Sequence, residues 1–343
     1  MDGLSKSLAV SATGKPGEQF RSRRSPVICT NGIVSSSQPL VSESGLRILR
    51  EGGNAADAAV SMAAVLAVCE PCSTGIGGDF FCLHYSAETG EVKAVNGSGK
   101  SPKDLDAATV RKDLNLPQDY RGPFPETNEG KRSAHTVTVP GAIAGWIDCI
   151  EKFGSKPMEE ILKDAIRLAD EGFPVTPAIA NSWKKSFDAI FTTSENGKEM
   201  LVEDSSVEHN CRAPYAGEVF KRKNLANVLK EVVKKGKKGF YEGWVAEAIV
   251  EELRQYGGKM TMQDLSGHSS SFPDSIRTEY DGKMVYEHPP NGDGLIALIA
   301  LNILTSLEEK GQISFTSVLE TGGKSSPAEL RTADQLHAII GGA

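Results

Sequence analysis

Apolar positions recur along this chain with two different periods, and the change from one to the other marks out its elements. Leu46, Ile48 and Leu49 form the apolar side of a first helix, which Ser42 is placed to cap and Gly52-Gly53 to stop, since glycine takes positive φ at little steric cost. A second helix follows at once. Asn54 is a good N-cap, Asp57 lies three positions on near the positive helix end, and the run from there to Val68 is mostly Ala, Val, Met and Leu without a charge. Such a helix is buried on most sides, as in a middle layer, and is too mixed and too firmly terminated for a membrane span of about 20 residues.

The period then shifts. Gly75-Ile76-Gly77-Gly78 can turn sharply or lie close against another segment, and it leads into Phe80–Tyr85, which reads as a buried strand. Ala87-Glu88-Thr89-Gly90 predicts a hairpin turn, residues 92–95 the return strand, and Asn96-Gly97-Ser98-Gly99 its end. Residues 136–139 predict a further strand that Pro140-Gly141 punctuates. Ile161, Leu162, Ala165, Ile166 and Ala169 form a stripe at helical spacing, closed by Gly172 and Pro174.

Composition narrows the function classes. With 343 residues, 39% hydrophobic and 24% charged, the chain can bury a sizeable core as one large domain or two small ones. A formal net charge of −7 argues against general nucleic-acid binding, because the phosphate backbone rewards a basic surface. Lys234-Lys235-Gly236-Lys237-Lys238 is the one dense basic run in the body and reads as a solvated helix end. Neither a Walker spacing nor a GxGxxG opening a helix accompanies the glycine-rich loop, so nucleotide binding is not expected. The six cysteines are scattered, and Cys69-x-x-Cys72 has no second pair at zinc spacing. No metal and no cofactor are expected; reduced, mostly buried thiols of a cytoplasmic protein are. Residues 1–26, rich in Ser, Gly, Lys and Arg, read as a flexible tail without the apolar core of a signal peptide.

One series of motifs says more. Gln38-Pro39-Leu40, Gly52-Gly53-Asn54-Ala55 with Asp57-Ala58-Ala59, Glu70-Pro71, Gly75-Ile76-Gly77-Gly78 and Asn96 to Pro102 stand in one fixed order. Together they resemble the N-terminal part of the gamma-glutamyltranspeptidase family. The likeness continues through Pro140-Gly141-Ala142 with Gly145-Trp146, through Gly239-Phe240-Tyr241-Glu242-Gly243 and through Pro289-Pro290-Asn291-Gly292-Asp293-Gly294, and spans about residues 27–340; it implies helices at residues 225–233 and 246–253 around a turn at residues 239–243.

The resemblance implies an α/β, layered fold: the large-subunit part of an N-terminal nucleophile hydrolase αββα sandwich, over residues 27–343. It implies γ-glutamyl transfer or hydrolysis within glutathione metabolism, through a threonine hydroxyl whose freed α-amine acts as base. That threonine belongs to the family's small subunit, beyond the equivalent of residue 343. The chain is therefore expected to be a truncated scaffold, inactive alone, whose missing partner is a small-subunit-like segment. No catalytic residue is expected within it. Thr192-Thr193 lies before the proline-rich segment, whereas the cleavage threonine of the family lies after it; His337, in what reads as the start of a helix at residues 332–340, reads as a surface or partner-facing residue.

Two residues are candidates for the acyl donor. Family members that hold a glutamyl α-carboxylate place an arginine four residues before the proline of this loop, and here that position is Ser98. A serine offers one hydroxyl where arginine offers a charged bidentate fork. Lys100 is the charge nearest in sequence. The loop resembles the acylase-like branch, so an acylase or amidase for another acyl group stands as the alternative, beside an inactive scaffold that pairs with a full-length relative. Without its partner the chain is expected to expose an apolar face, from Phe80–Tyr85 and residues 295–304.

Overall fold

A proline sets the first boundary. Residues 26–125 and 133–310 are described by a computed structural model of the chain, and those before Val34 lie outside the unit that begins there. Helix α1 (Pro39–Arg50) starts three residues before Ser42, because Pro39 occupies its first turn, where a missing N–H costs nothing, and Gln38 is the N-cap. Ser42 Oγ instead meets Ser36 Oγ at 2.7 Å. Gly52, at φ 81°, turns the chain after the helix.

Helix α2 (Ala55–Cys69) carries the expected capping box. Asn54 Oδ1 accepts the Asp57 N–H at 3.1 Å, and Asp57 Oδ2 accepts the Asn54 N–H at 2.8 Å. Asp57 does more than cap. It is fully buried, and it also accepts the N–H groups of Ser155 (2.9 Å) and Lys156 (3.2 Å) and the Ser155 hydroxyl (2.7 Å), so it fastens the start of α2 to a loop 98 residues away. At the other end Arg222 donates to the Ala67 carbonyl at 2.7 Å, a cation at the negative helix terminus whose pKa burial lowers to about 10.

Strands β1 (Phe80–Tyr85) and β2 (Val92–Gly97) form an antiparallel hairpin pairing Phe80 with Gly97 and Tyr85 with Val92. Its far edge is bridged at Asn96–Ser271 and Lys93–Asp274. Helix α3 (Ala107–Asp113) lies on the surface. A single 3-10 turn covers residues 134–136, and no strand forms at residues 136–139: Val139 gives its N–H to the Lys100 carbonyl alone, because the chain turns at once into helix α4 (Ala142–Phe153).

Helix α5 (Met158–Glu171) shows the predicted stripe, with Ile161, Leu162, Ala165 and Ala169 buried against α2. After β3 (Phe173–Pro174) come α6 (Pro177–Lys185), α7 (Phe187–Thr193), and the short strands β4 (Val202–Glu203), β5 (Cys211–Arg212) and β6 (Val219–Phe220). Helix α8 (Lys223–Lys235) packs on α5. The expected turn at residues 239–243 contains a short helix, α9 (Lys238–Tyr241), before α10 (Trp244–Gln255) and α11 (Met262–Ser266). The basic run does end α8, but Lys237 pairs with the largely buried Asp148 rather than with solvent alone. A second hairpin, β7 (Ile276–Tyr280) and β8 (Lys283–Glu287), turns at Asp281-Gly282, both at positive φ, and α12 (Gly294–Glu309) packs on it.

The core lies on one side of the first hairpin. Val65, Val68, Ile143, Cys149 and Ile161 are fully enclosed there, while Phe81, Leu83 and Tyr85 on the opposite face are exposed, as are Met284, Leu295, Ile296 and Ile299. The apolar face expected at residues 80–85 and 295–304 is thus present on the described chain. No described helix is long and apolar enough to cross a membrane.

Asp57 supplies a stability prediction. Burial raises its pKa, but the Ser155 hydroxyl and the three backbone N–H groups outweigh this and hold it below the usual carboxylate value. A carboxyl depressed in the folded state stabilises fully above its unfolded pKa of about 3.9 and loses that contribution as pH falls through the folded value. Asp57→Asn should therefore cost about 2 kcal/mol or more at pH 7, by urea denaturation, and flatten the loss of stability below about pH 4. An unchanged acid limb would show that another carboxylate governs it.

Candidate functional site

The loop that ends β2 is held from three directions. Asn96 exchanges both main-chain hydrogen bonds with Ser271 (2.8 and 2.9 Å), gives its side-chain amide to Asn291 Oδ1 (3.0 Å), and accepts the Ser98 N–H on its own Oδ1 (2.9 Å). Asp79, which follows the glycine run, accepts the Gly99 N–H at 2.9 Å and faces Ser98 Oγ at 3.5 Å. Lys100 receives Val139 on its carbonyl.

These bonds require contact without side chains. A Cβ on Gly141 would lie 1.8 Å from the Gly97 carbonyl oxygen, and one on Gly99 would lie 1.9 Å from that of Val139, so both positions accept only glycine as the backbone stands. The start of α4 has no side-chain cap of its own. Gly78 O accepts the N–H groups of Gly141 and Ala142, both at 2.9 Å, and the buried Tyr241 hydroxyl accepts the Ala144 N–H at 3.0 Å while donating to the Pro140 carbonyl at 2.6 Å. Burial holds the Tyr241 phenol well above its ordinary pKa, which suits a hydroxyl that must donate. The N–H groups of Gly141, Ala142 and Ala144 are thus taken by the protein.

Next to this corner His268 stacks on Tyr241, ring centroids 5.4 Å apart. Burial, then the charge of Lys100, lowers its pKa, with Asp148 and Asp79 pulling the other way; its Nε2 and Ser270 Oγ are buried without a partner. The two candidates from the sequence therefore share one loop: Ser98 half-buried beside Asp79, and Lys100 exposed, with no ion pair among the described residues. Asp79, Tyr241 and His268 escaped the sequence reading as site residues. Asp79 had one signal, its place directly after Gly75–Gly78; Tyr241 and His268 had none, since only folding brings them to residue 140.

Elsewhere the candidates do little chemistry. Thr192 and Thr193 lie in α7 and donate to the Asp188 and Ala189 carbonyls, each at 2.6 Å. Cys69 is buried, its thiol pushed up to about 12, and Cys72 is exposed. No metal-binding group of His, Cys, Asp or Glu occurs among the described residues. A cavity of about 500 Å³ opens on Phe187, His209, Arg212 and Tyr215, and none of the loop residues above lines it. His337 and residues 332–340 lie outside the described residues.

Known proteins resemble this chain along most of its length. A family model described as gamma-glutamyltranspeptidase matches residues 41–337. The glutathione hydrolase-like YwrD proenzyme of Bacillus subtilis is 35% identical over 304 residues, covering 88% of this chain and 54% of that protein. Among solved structures, the Helicobacter pylori gamma-glutamyltranspeptidase superposes with a TM-score of 0.75 at 26% identity, over 92% of this chain and 82% of that one. Cephalosporin acylase from Bacillus halodurans does so with 0.71 at 32%, over 94% and 55%. The chain spans about half the length of the curated relatives it matches.

The glycine contact is testable. Gly141→Ala should cost about 3 kcal/mol, the upper end for overpacking, since the obstacle is backbone. Tyr241→Phe should cost about 2 kcal/mol or more by leaving Ala144 N–H and Pro140 O buried and unpaired. Urea midpoints measure both; a neutral Gly141→Ala would mean that the corner opens easily.

Proposed function

Because the chain belongs to the gamma-glutamyltranspeptidase family, we propose that it is the scaffold part of an N-terminal nucleophile hydrolase that moves an acyl group from an amide to water or an amine. Its fold is α/β, of the layered type found in its solved relatives. The substrate class is a γ-glutamyl amide of the glutathione kind, in keeping with the names of its relatives. The observation that carries this reading is the loop at residues 96–102, whose backbone is fixed by Asp79, Asn96 and Val139 and which carries Ser98, its Oγ donating to Asp79 at 3.5 Å, and the exposed Lys100.

In this reading the nucleophile is a threonine hydroxyl of a segment outside residues 1–343, activated by its own α-amine. The described residues bind and orient the acyl donor. The covering segment packs on the exposed face of Phe81, Leu83 and Tyr85. Burying that face removes apolar surface from water at about 25 cal/mol per Å².

A specific contact favours a second reading, an acylase for a donor without an α-carboxylate. Asp79 sets a negative charge beside Ser98, where the resemblance places arginine. At an exposed position the repulsion of a substrate carboxylate is on the order of 1 kcal/mol, whereas an absent bidentate arginine forfeits about 1.5–3 kcal/mol. The missing fork is thus the larger effect. Cephalosporin acylase among the solved neighbours supports this reading.

Two measurements follow. Residues 1–343 alone should yield no self-cleaved fragments on a denaturing gel and no turnover of a γ-glutamyl anilide; fragments together with turnover abolished by Thr193→Ala would instead make the internal threonine the nucleophile. In an enzyme completed with a threonine-led segment, kcat/KM should differ little between γ-glutamyl and glutaryl anilides, and Ser98→Arg should raise the γ-glutamyl preference about tenfold. A strong wild-type preference abolished by Lys100→Ala would assign the carboxylate to Lys100.

A further inference from the structure

Helix α4 and strand β1 run side by side in register, and two contacts fix that register. At one end a Cβ on Gly145 would lie 2.6 Å from Phe80 Cδ1 and 2.8 Å from its Cβ. At the other, the His84 and Phe153 rings stack with centroids 4.4 Å apart and planes 9° from parallel. The two contacts are eight positions apart along the helix, about 12 Å of rise, and four positions apart along the strand, about 13 Å. The two elements therefore advance together. Halfway along each, one helical turn past Gly145 and two strand residues past Phe80, are Cys149 and Cys82. Residues 80, 82 and 84 share one face of β1, and residues 145, 149 and 153 share one face of α4. The middle rung of this ladder is a pair of thiols.

Their surroundings differ. Cys149 is completely buried in the core cluster, while Cys82 packs against that cluster from a half-buried position. The neighbouring Cys149 thiol holds Cys82 below the ordinary thiol pKa; the Cys82 thiol and then burial push Cys149 up. By contrast, burial pushes Cys69 up without a thiol neighbour among its causes, and Cys29 and Cys72 are exposed.

We propose that Cys82 and Cys149 form a redox-active pair, in which a hydroperoxide oxidises Cys82 and Cys149 resolves it to a disulfide joining β1 to α4. In the first step the Cys82 thiolate attacks a peroxide oxygen; the O–O bond breaks, water leaves with a proton from solvent, and Cys82 becomes a sulfenic acid. In the second, the Cys149 sulfur attacks the Cys82 sulfur, the S–O bond breaks, and the Cys149 proton leaves with hydroxide as a second water. Two thiols lose two electrons to one peroxide. The resulting bond ties the strand that follows Asp79 to the helix whose start contacts Gly97, behind the loop of Ser98. The inference rests on this ladder alone and stands whatever the acyl donor is.

The test uses the full chain. It is treated in its native state with hydrogen peroxide, thiols are blocked by alkylation, and a non-reducing digest is mapped by mass spectrometry. The expected product is one crosslinked species joining the β1 and α4 peptides, two hydrogens lighter than their sum, with alkylation lost together at Cys82 and Cys149 and restored by dithiothreitol. In Cys149→Ser, Cys82 should stop at a sulfenic acid that dimedone traps. The wild-type map decides the matter even if that variant fails to fold. Cys149 still fully alkylated while Cys82 is overoxidised, or a crosslink forming equally well in urea-unfolded chain, would overturn the proposal.

Discussion

The structure around the candidate site depends on one constraint, the contact of bare backbone between the end of β2 and the start of α4. Gly97 and Gly99 on one side, and Val139 with Gly141 on the other, approach so closely that a single methyl group would overlap a carbonyl oxygen. Several features follow from that proximity. Gly78 can satisfy the first N–H groups of α4, Lys100 can receive Val139, and the loop bearing Ser98 is held to a rigid helix rather than left to solvent. The same approach brings Gly145 onto Phe80 and so sets the register in which Cys149 faces Cys82. Glycine, weak in helices and strands for entropic reasons, is retained here because closeness is worth more than local propensity.

Two aspartates show how environment divides one chemistry into two roles. Asp57 is enclosed, and three donors besides its own helix cap contact saturate its lone pairs or nearly so, which makes it a rivet between α2 and the turn after α4. Asp79 is exposed and holds one backbone N–H firmly, with capacity left over beside Ser98. The first is spent on stability. The second keeps acceptor capacity and a negative charge beside Ser98.

The molecule is also asymmetric about its first hairpin. Helix α4 packs on the face of Phe80, Cys82 and His84, while Phe81, Leu83 and Tyr85 face outward; Leu295, Ile296 and Ile299 are exposed as well. A strand with apolar residues on both faces belongs in the interior of a layered fold. The described residues supply one of the two coverings.

Local chemistry settled what sequence alone could settle. The capping box of Asn54 and Asp57, the stripe of Ile161, Leu162, Ala165 and Ala169, the hairpin at residues 80–97 and the ordered series of motifs were all legible, because each depends on residues within a few positions of one another or on their order. Ser98 and Lys100 stood out for the same reason. Where local signals competed, the reading slipped: Ser42 yielded the cap to Gln38 because Pro39 begins the helix, and residues 136–139 lost their strand because Val139 is drawn to Lys100. The tertiary structure alone decided the placing of Tyr241 on the start of α4, of His268 on Tyr241, of Ser155 on Asp57 and of Cys149 opposite Cys82. Those partners lie tens of residues apart or more, and their meeting is fixed by how helix and sheet surfaces fit together, which no short-range pattern in the chain encodes.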